Sequence, residues 1–179
     1  ENKPFKWKGT SNMYDRLTKS DILKMEAEIE HRKLVVRKHA IEAVKDARAQ
    51  GDLSENFEYY AAKRDKNINE GRIRYLENMI KTAQIISDTS KDNEVGINNE
   101  VTLYILEDDA LETYRLITTI RGNSMEGLIS IDSPLGRAII GKSVGDEVAV
   151  KVSEDYSYVV RIDSIRKDLD DSKDVIRKF

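Results

Sequence analysis

Residues 18–50 contain neither glycine nor proline, and their apolar side chains recur at helical spacing. Ile22, Met25, Ile29, Val36, Ala40, Ala43 and Ala47 form one stripe, and Leu34, Ile41 and Val44 form an offset second set. Such spacing gathers apolar groups on one helix face, and the offset predicts that the seam drifts along it. At 1.5 Å per residue this helix is about 50 Å long. Gly51 stops the pattern, and a second one runs from about Ser54 to Ser87. Its stripe holds Ala61, Ile68, Tyr75 and Met79, with Leu76, Ile80, Ala83 and Ile86 widening it near the base. Two long helices joined by a short loop lie antiparallel. The chain is therefore predicted to form a two-stranded coiled-coil hairpin with residues 51–56 at its far tip.

The first helix has a legible start, because Thr18-Lys19-Ser20-Asp21 sets a hydroxyl at N-cap and a carboxylate at N3. Gly71 interrupts the return helix at a cost of about 1 kcal/mol relative to alanine, for which close helix approach is the expected reason. Residues 87–94 carry no apolar side chain and read as a linker. Beyond them the period changes to two, with β-branched alternating runs at 101–106, 113–120, 147–152 and 158–165. Between these runs, Ser133, Pro134 and Gly141 occupy the N-cap, N1 and C′ positions of a short helix. The fold class is α+β in two domains: an N-terminal extension (1–17), the hairpin (18–87), a linker (88–95), a small α+β domain (96–165) and a charged tail (166–179) expected at the periphery.

Composition narrows the function. With 35% charged and 39% hydrophobic residues, much of the chain belongs to a solvent-rich, elongated element rather than one large core. Zero cysteines exclude disulfides and thiolate metal sites and fit a reducing, cytoplasmic compartment. The two histidines, His31 and His39, lie among charged residues on one helix and read as a solvated face. A net charge of −3 argues against bulk nucleic-acid binding. No apolar run is long enough to span a bilayer, so no membrane partner is expected. Glu1–Gly9 lacks the apolar region of a signal peptide.

The tip carries two carboxylates, Asp52 and Glu55, and their spacing supports two readings. Asp-x-x-Glu before a helix is a capping box, and negative charge there suits the helix dipole. Alternatively, both carboxylates project outward and help bind a divalent cation. Magnesium accepts one or two carboxylates and fills its remaining positions with water or phosphate oxygens. Two exposed carboxylates hold it weakly, so further ligands would have to come from a partner.

Gly51-Asp52-Leu53-Ser54-Glu55-Asn56, followed by Glu58-Tyr59, Ala61-Ala62-Lys63 and Glu70-Gly71-Arg72-Ile73, resembles the bacterial Gre transcript-cleavage factors. A second match lies downstream, at Ile131-Asp132-Ser133-Pro134-Leu135-Gly136-Arg137-Ala138-Ile139-Ile140-Gly141-Lys142 and Gly145-Asp146. The resemblance covers about residues 18–165. It implies a coiled-coil domain followed by an FKBP-like domain, and a bacterial RNA polymerase as partner. In that family the C-terminal domain docks at the rim of the polymerase secondary channel, and the coiled coil enters the channel. Carried over, Asp52 and Glu55 are the tip acids that share a Mg2+ ion with polymerase carboxylates. The polymerase then hydrolyses the 3′ end of backtracked nascent RNA, so this chain is a protein cofactor rather than the enzyme. A pair of ions about 4 Å apart would stabilise the attacking and leaving oxygens. Arg48 and Lys63 match the family's RNA-proximal basic residues, and Lys45 and Arg64 extend that charge along the stalk. Asp132, Ser133, Pro134, Leu135 and Arg137 form the implied polymerase-docking patch. The 17 residues before Thr18 and the tail after Ile165 depart from the family's usual limits.

Four other readings compete. A Gre-like channel inhibitor without cleavage activity shares the architecture, but intact Asp52 and Glu55 disfavour it. An autonomous magnesium nuclease would need third and fourth acidic ligands near the tip. A prolyl isomerase needs an aromatic-lined pocket, for which the second domain offers Tyr104, Tyr114, Tyr156 and Tyr158 alone. A plain coiled-coil scaffold would require no particular acids at its tip.

Overall fold

A computed structural model describes residues 16–51, 56–167 and 169–177. Strand β1 (Arg16–Leu17) leads into helix α1 (Lys19–His31), a π-helical turn (Arg32–Val36) and helix α2 (Arg37–Ala49). Helix α3 (Phe57–Thr82) returns antiparallel to them and is followed by strand β2 (Gln84–Ile85), which pairs in parallel with β1. The second domain contains β3 (Glu100–Ile105), β4 (Ala110–Ile117), β5 (Leu128–Ser130), α4 (Pro134–Ile139), β6 (Glu147–Lys151) and β7 (Ser157–Arg166). Its five-stranded sheet runs β5-β4-β3-β7-β6, antiparallel except for the β4–β5 pair. The α+β, two-domain architecture expected from the sequence is present.

Local chemistry explains the helix ends. The Thr18 hydroxyl accepts from the Asp21 amide at 3.2 Å, and the Asp21 carboxylate accepts from the Thr18 amide at 2.7 Å, completing the predicted capping box. Ser133 caps α4 with Pro134 at N1, and Gly141 follows with φ +74°, as the sequence predicts. Helix α3 stops at Thr82 rather than Ser87, because Ala83 adopts an extended conformation (ψ 139°). The chain then joins β1, where the Ile86 amide donates to the Leu17 carbonyl at 2.9 Å.

The seam differs from the predicted one in two places. The π turn at Arg32–Val36 re-aims the first strand of the hairpin, so Leu34 is 66% exposed and Ile41 also faces solvent. On α3 the inward positions include Tyr59, Ala62, Lys66, Asn69, Ile73, Leu76 and Ile80, at three- and four-residue steps, with Met79 buried beside Ile80. Of the stripe expected there, Ala61, Ile68 and Tyr75 are instead exposed, Ile68 to 61%, and Met79 is buried as expected. Two polar residues, Lys66 and Asn69, occupy the seam and disguise its register. Asn69, only 3% exposed, accepts from Arg32 Nη1 at 3.2 Å and donates to the Arg32 carbonyl at 3.4 Å. Gly71 does not mark close helix approach, since a Cβ there would meet nothing within 4 Å.

There are two cores. Val95, Ile97, Val101, Leu103, Leu116, Ile131, Ile139, Val150, Val160 and Ile162 fill the space between the sheet and α4. Leu17, Met25, Ile29, Ile73, Leu76 and Met79 close the hairpin base together with Ile120 and Ile176. The charged tail is therefore not peripheral, because Ile176 is buried where the two domains meet. Among the described residues no helix is long and apolar enough to cross a membrane.

Candidate functional site

The tip is built by the residues on either side of it. Helix α2 ends at Ala49, and Gly51 takes φ +126°, a conformation that side chains with a Cβ rarely adopt. Asp52 and Glu55 lie outside the described residues. Helix α3 begins at Phe57 with Asn56 as its N-cap, so Asn56 performs the capping expected of Asp52. The Asn56 side-chain oxygen accepts from the Tyr59 amide at 2.9 Å, and its amide group donates to the Ala47 carbonyl at 2.7 Å. One side chain thus caps α3 and ties it to α2.

Arg48 and Lys63 converge on Tyr59, which is buried in the seam. The Arg48 guanidinium sits 5.4 Å from the ring centroid with Nη2 3.4 Å from the hydroxyl, and Lys63 Nζ lies 5.8 Å from the same centroid. Arg48's hydrogen bond and the nearby positive charge of Lys63 hold the Tyr59 hydroxyl below the usual tyrosine range. Lys45 is exposed on α2, and Arg64 pairs with its neighbour Asp65 at 3.6 Å. The structure therefore groups Arg48 with Lys63 and leaves Lys45 and Arg64 on the outer surface. Phe57, at 86% exposure in the first turn of α3, was not singled out by the sequence. Its position outside the Tyr59–Ala62 seam register was the available signal.

Lower on the stalk several charges pair between the helices. Arg37 grips Glu70 through two 2.7 Å hydrogen bonds, and Lys33 meets Glu77 at 2.5 Å. Glu28 accepts from Arg32 at 2.7 Å and from Arg72 at 3.0 and 3.1 Å. Burial pushes the Glu28 carboxyl up, but the two arginines together outweigh it and hold the group below the ordinary glutamate value. Glu70 is lowered by its Arg37 hydrogen bond.

The α4 patch divides into shaping and exposed groups. Ser133 Oγ accepts from the Gly136 amide at 3.0 Å and donates to the Ser130 carbonyl at 2.7 Å, while Leu135 packs against the sheet core. These two half-buried residues shape the patch rather than present it. Asp132, Pro134 and Arg137 are exposed. Arg137 Nε donates to the Asp132 carbonyl at 2.8 Å, and the Asp132 carboxylate takes hydrogen bonds from Arg16 and, at 2.9 Å, from Thr119. Gly136 is dictated by space, because a Cβ there would lie 2.1 Å from the Ser130 carbonyl oxygen.

The second domain's tyrosines divide between the two faces of its sheet. Tyr104 stacks under Arg161 on one face, whereas Tyr114 and Tyr158 pack against the core on the other. Burial and the adjacent Glu112 push the Tyr114 hydroxyl up to about 12. Among the described residues no group of three or more His, Cys, Asp or Glu side chains is placed to hold a metal ion.

Comparison with known proteins agrees with this geometry. Residues 16–85 match the family model for the N-terminal domain of GreA/GreB transcription elongation factors, and residues 89–167 match the C-terminal one. The chain is 44% identical over 128 residues to transcription elongation factor GreA of Bacillus subtilis, covering 72% of this chain and 82% of the relative. It is 39% identical over 150 residues to GreA of Mesomycoplasma hyopneumoniae, covering 84% and 94%. Among solved structures, the GreA factor homolog Gfh1 of Thermus thermophilus aligns with a TM-score of 0.39 at 22% identity, over 86% of this chain and 99% of that one. With a matching hairpin, a matching sheet domain and both motifs in order, the chain belongs to the GreA/GreB family of transcription elongation factors.

Proposed function

We propose that this chain carries Asp52 and Glu55 into the secondary channel of bacterial RNA polymerase and stimulates the polymerase's own hydrolysis of backtracked RNA. The observation that carries the reading is positional. Helix α1, the π turn and α2 form one arm from Lys19 to Ala49, three residues before Asp52 in sequence, and at 1.5 Å per residue that arm is roughly 45 Å long. A slender charged stalk buries little apolar area, so its reach, and not a large contact, is what it contributes. Asp52 and Glu55 would hold Mg2+ together with polymerase carboxylates, and the bound ion would stabilise charge on the reacting oxygens. Arg48 and Lys63, gathered on Tyr59, offset phosphate charge on the extruded 3′ end. Asp132, Pro134 and Arg137 face the channel rim, on a surface shaped by Ser133 and Leu135.

The test uses the cognate polymerase stalled in a backtracked complex. Adding the chain with magnesium should release short 3′ RNA fragments and restore elongation. No release above the polymerase's intrinsic rate would refute the reading.

A further inference from the structure

Arg121 stands at the end of the short helical turn Thr119–Arg121 after β4, and its side chain is completely buried. A buried guanidinium is costly unless carboxylates surround it, and here they come from two directions. From the hairpin, Asp21 Oδ1 approaches Arg121 Nε to 2.7 Å, and that carboxylate is completely buried too. Its other oxygen caps α1 and accepts from Thr118 Oγ1 at 2.9 Å. From the tail, Asp171 and Asp174 accept from Arg121 Nη1 at 3.1 and 2.8 Å.

The tail touches both domains along its length. Lys24 of α1 donates to the Asp174 carbonyl at 2.8 Å, and Arg115 of β4 donates to the Asp174 carboxylate at 3.2 Å. The Arg177 amide donates to the Ile120 carbonyl at 2.8 Å, and Arg72 of α3 donates to the Arg177 carbonyl at 3.0 Å. Ile176 completes the apolar cluster at the hairpin base. Residues 169–177 lie beyond the stretch that the family model matches.

We propose that Arg121 is a positioning residue that fixes the direction in which the hairpin leaves the second domain, with residues 169–177 as the strap that completes its cage. The role in cleavage rests on the function proposed above; the strap itself does not. Leverage makes the junction matter. A tilt of about 5° at the base of a roughly 45 Å arm displaces its tip by about 4 Å. A misplacement of about 1 Å at reacting groups already costs up to about a hundredfold in rate.

The test exploits the absence of cysteine. Spin labels on Glu42→Cys and Lys151→Cys, both exposed in the parent, report the distance distribution between the hairpin and the sheet. The parent distribution should be narrow. Asp171→Asn with Asp174→Asn should broaden it, as should Ile176→Ser, which keeps every charge. Ser172→Ala, whose side chain bonds only Asp170 among the described residues, should leave it unchanged. In cleavage assays the strap variants should keep the half-saturating concentration and lose on the order of tenfold in rate at saturation. A distribution as narrow as the parent's in both strap variants overturns the proposal, whatever cleavage does. A parent that stimulates no cleavage sinks the functional reading alone, because the distance measurement still decides the strap.

Discussion

The Asn56 amide group and the Ala47 carbonyl meet at 2.7 Å, a cross-link between α3 and α2 immediately below the tip. Because the same side chain caps α3, Asn56→Ala removes both the cap and the tie. The two effects should lower stability by roughly 1–2 kcal/mol. Urea unfolding followed by helical circular dichroism checks this, and an unchanged midpoint would remove Asn56 from the account.

Two glycines should respond in opposite directions. Gly71→Ala adds a methyl group into open space within a helix and should stabilise the hairpin by up to about 1 kcal/mol. Gly136→Ala drives a Cβ toward the Ser130 carbonyl oxygen and should destabilise the second domain by roughly 1–3 kcal/mol. Thermal melts of the two variants beside the parent read both signs.

Acid should loosen the stalk. The carboxyls of Glu28 and Glu70 are lowered in the folded chain relative to an ordinary value of 4.5. The unfolded chain therefore binds protons first as pH falls. The stabilisation is fully present above pH 4.5 and is lost as pH falls from there through the lowered folded values. Urea midpoints measured across this window should drop less steeply for Glu28→Gln than for the parent. Equal slopes would show that the Arg32–Glu28–Arg72 cluster does not contribute to the acid response.

Free protein should bind magnesium weakly and leave RNA intact. Two carboxylates alone compete poorly with magnesium's own hydration shell. Calorimetry on the free chain, beside an RNA-cleavage assay without polymerase, tests this expectation. Tight binding or robust cleavage would make the chain an enzyme in its own right.

What the sequence revealed was chiefly local. Thr18 with Asp21, and Ser133 with Pro134, act within a single turn and were legible as caps. The π turn, the true α3 seam and the end of that helix depend on distant partners. Lys66 and Asn69 interrupt the apolar pattern, and Asn69 makes sense only opposite Arg32. Asp21 was legible as a cap but not as the partner of Arg121, nor was Ile176 as part of a core. The tip acids stood out through the Gre-like motif, because their spacing alone is equally that of a capping box. Arg48 and Lys63 could be named from the sequence, but their meeting point on Tyr59 required the folded hairpin.

The most direct measurement compares the parent with Asp52→Ala, Glu55→Ala and the double variant on a backtracked polymerase complex, reading 3′ fragment release and polymerase binding together. The account predicts that each substitution abolishes stimulated cleavage while binding persists, since the docking surface it proposes is around α4. Parent-level cleavage by the double variant would contradict it.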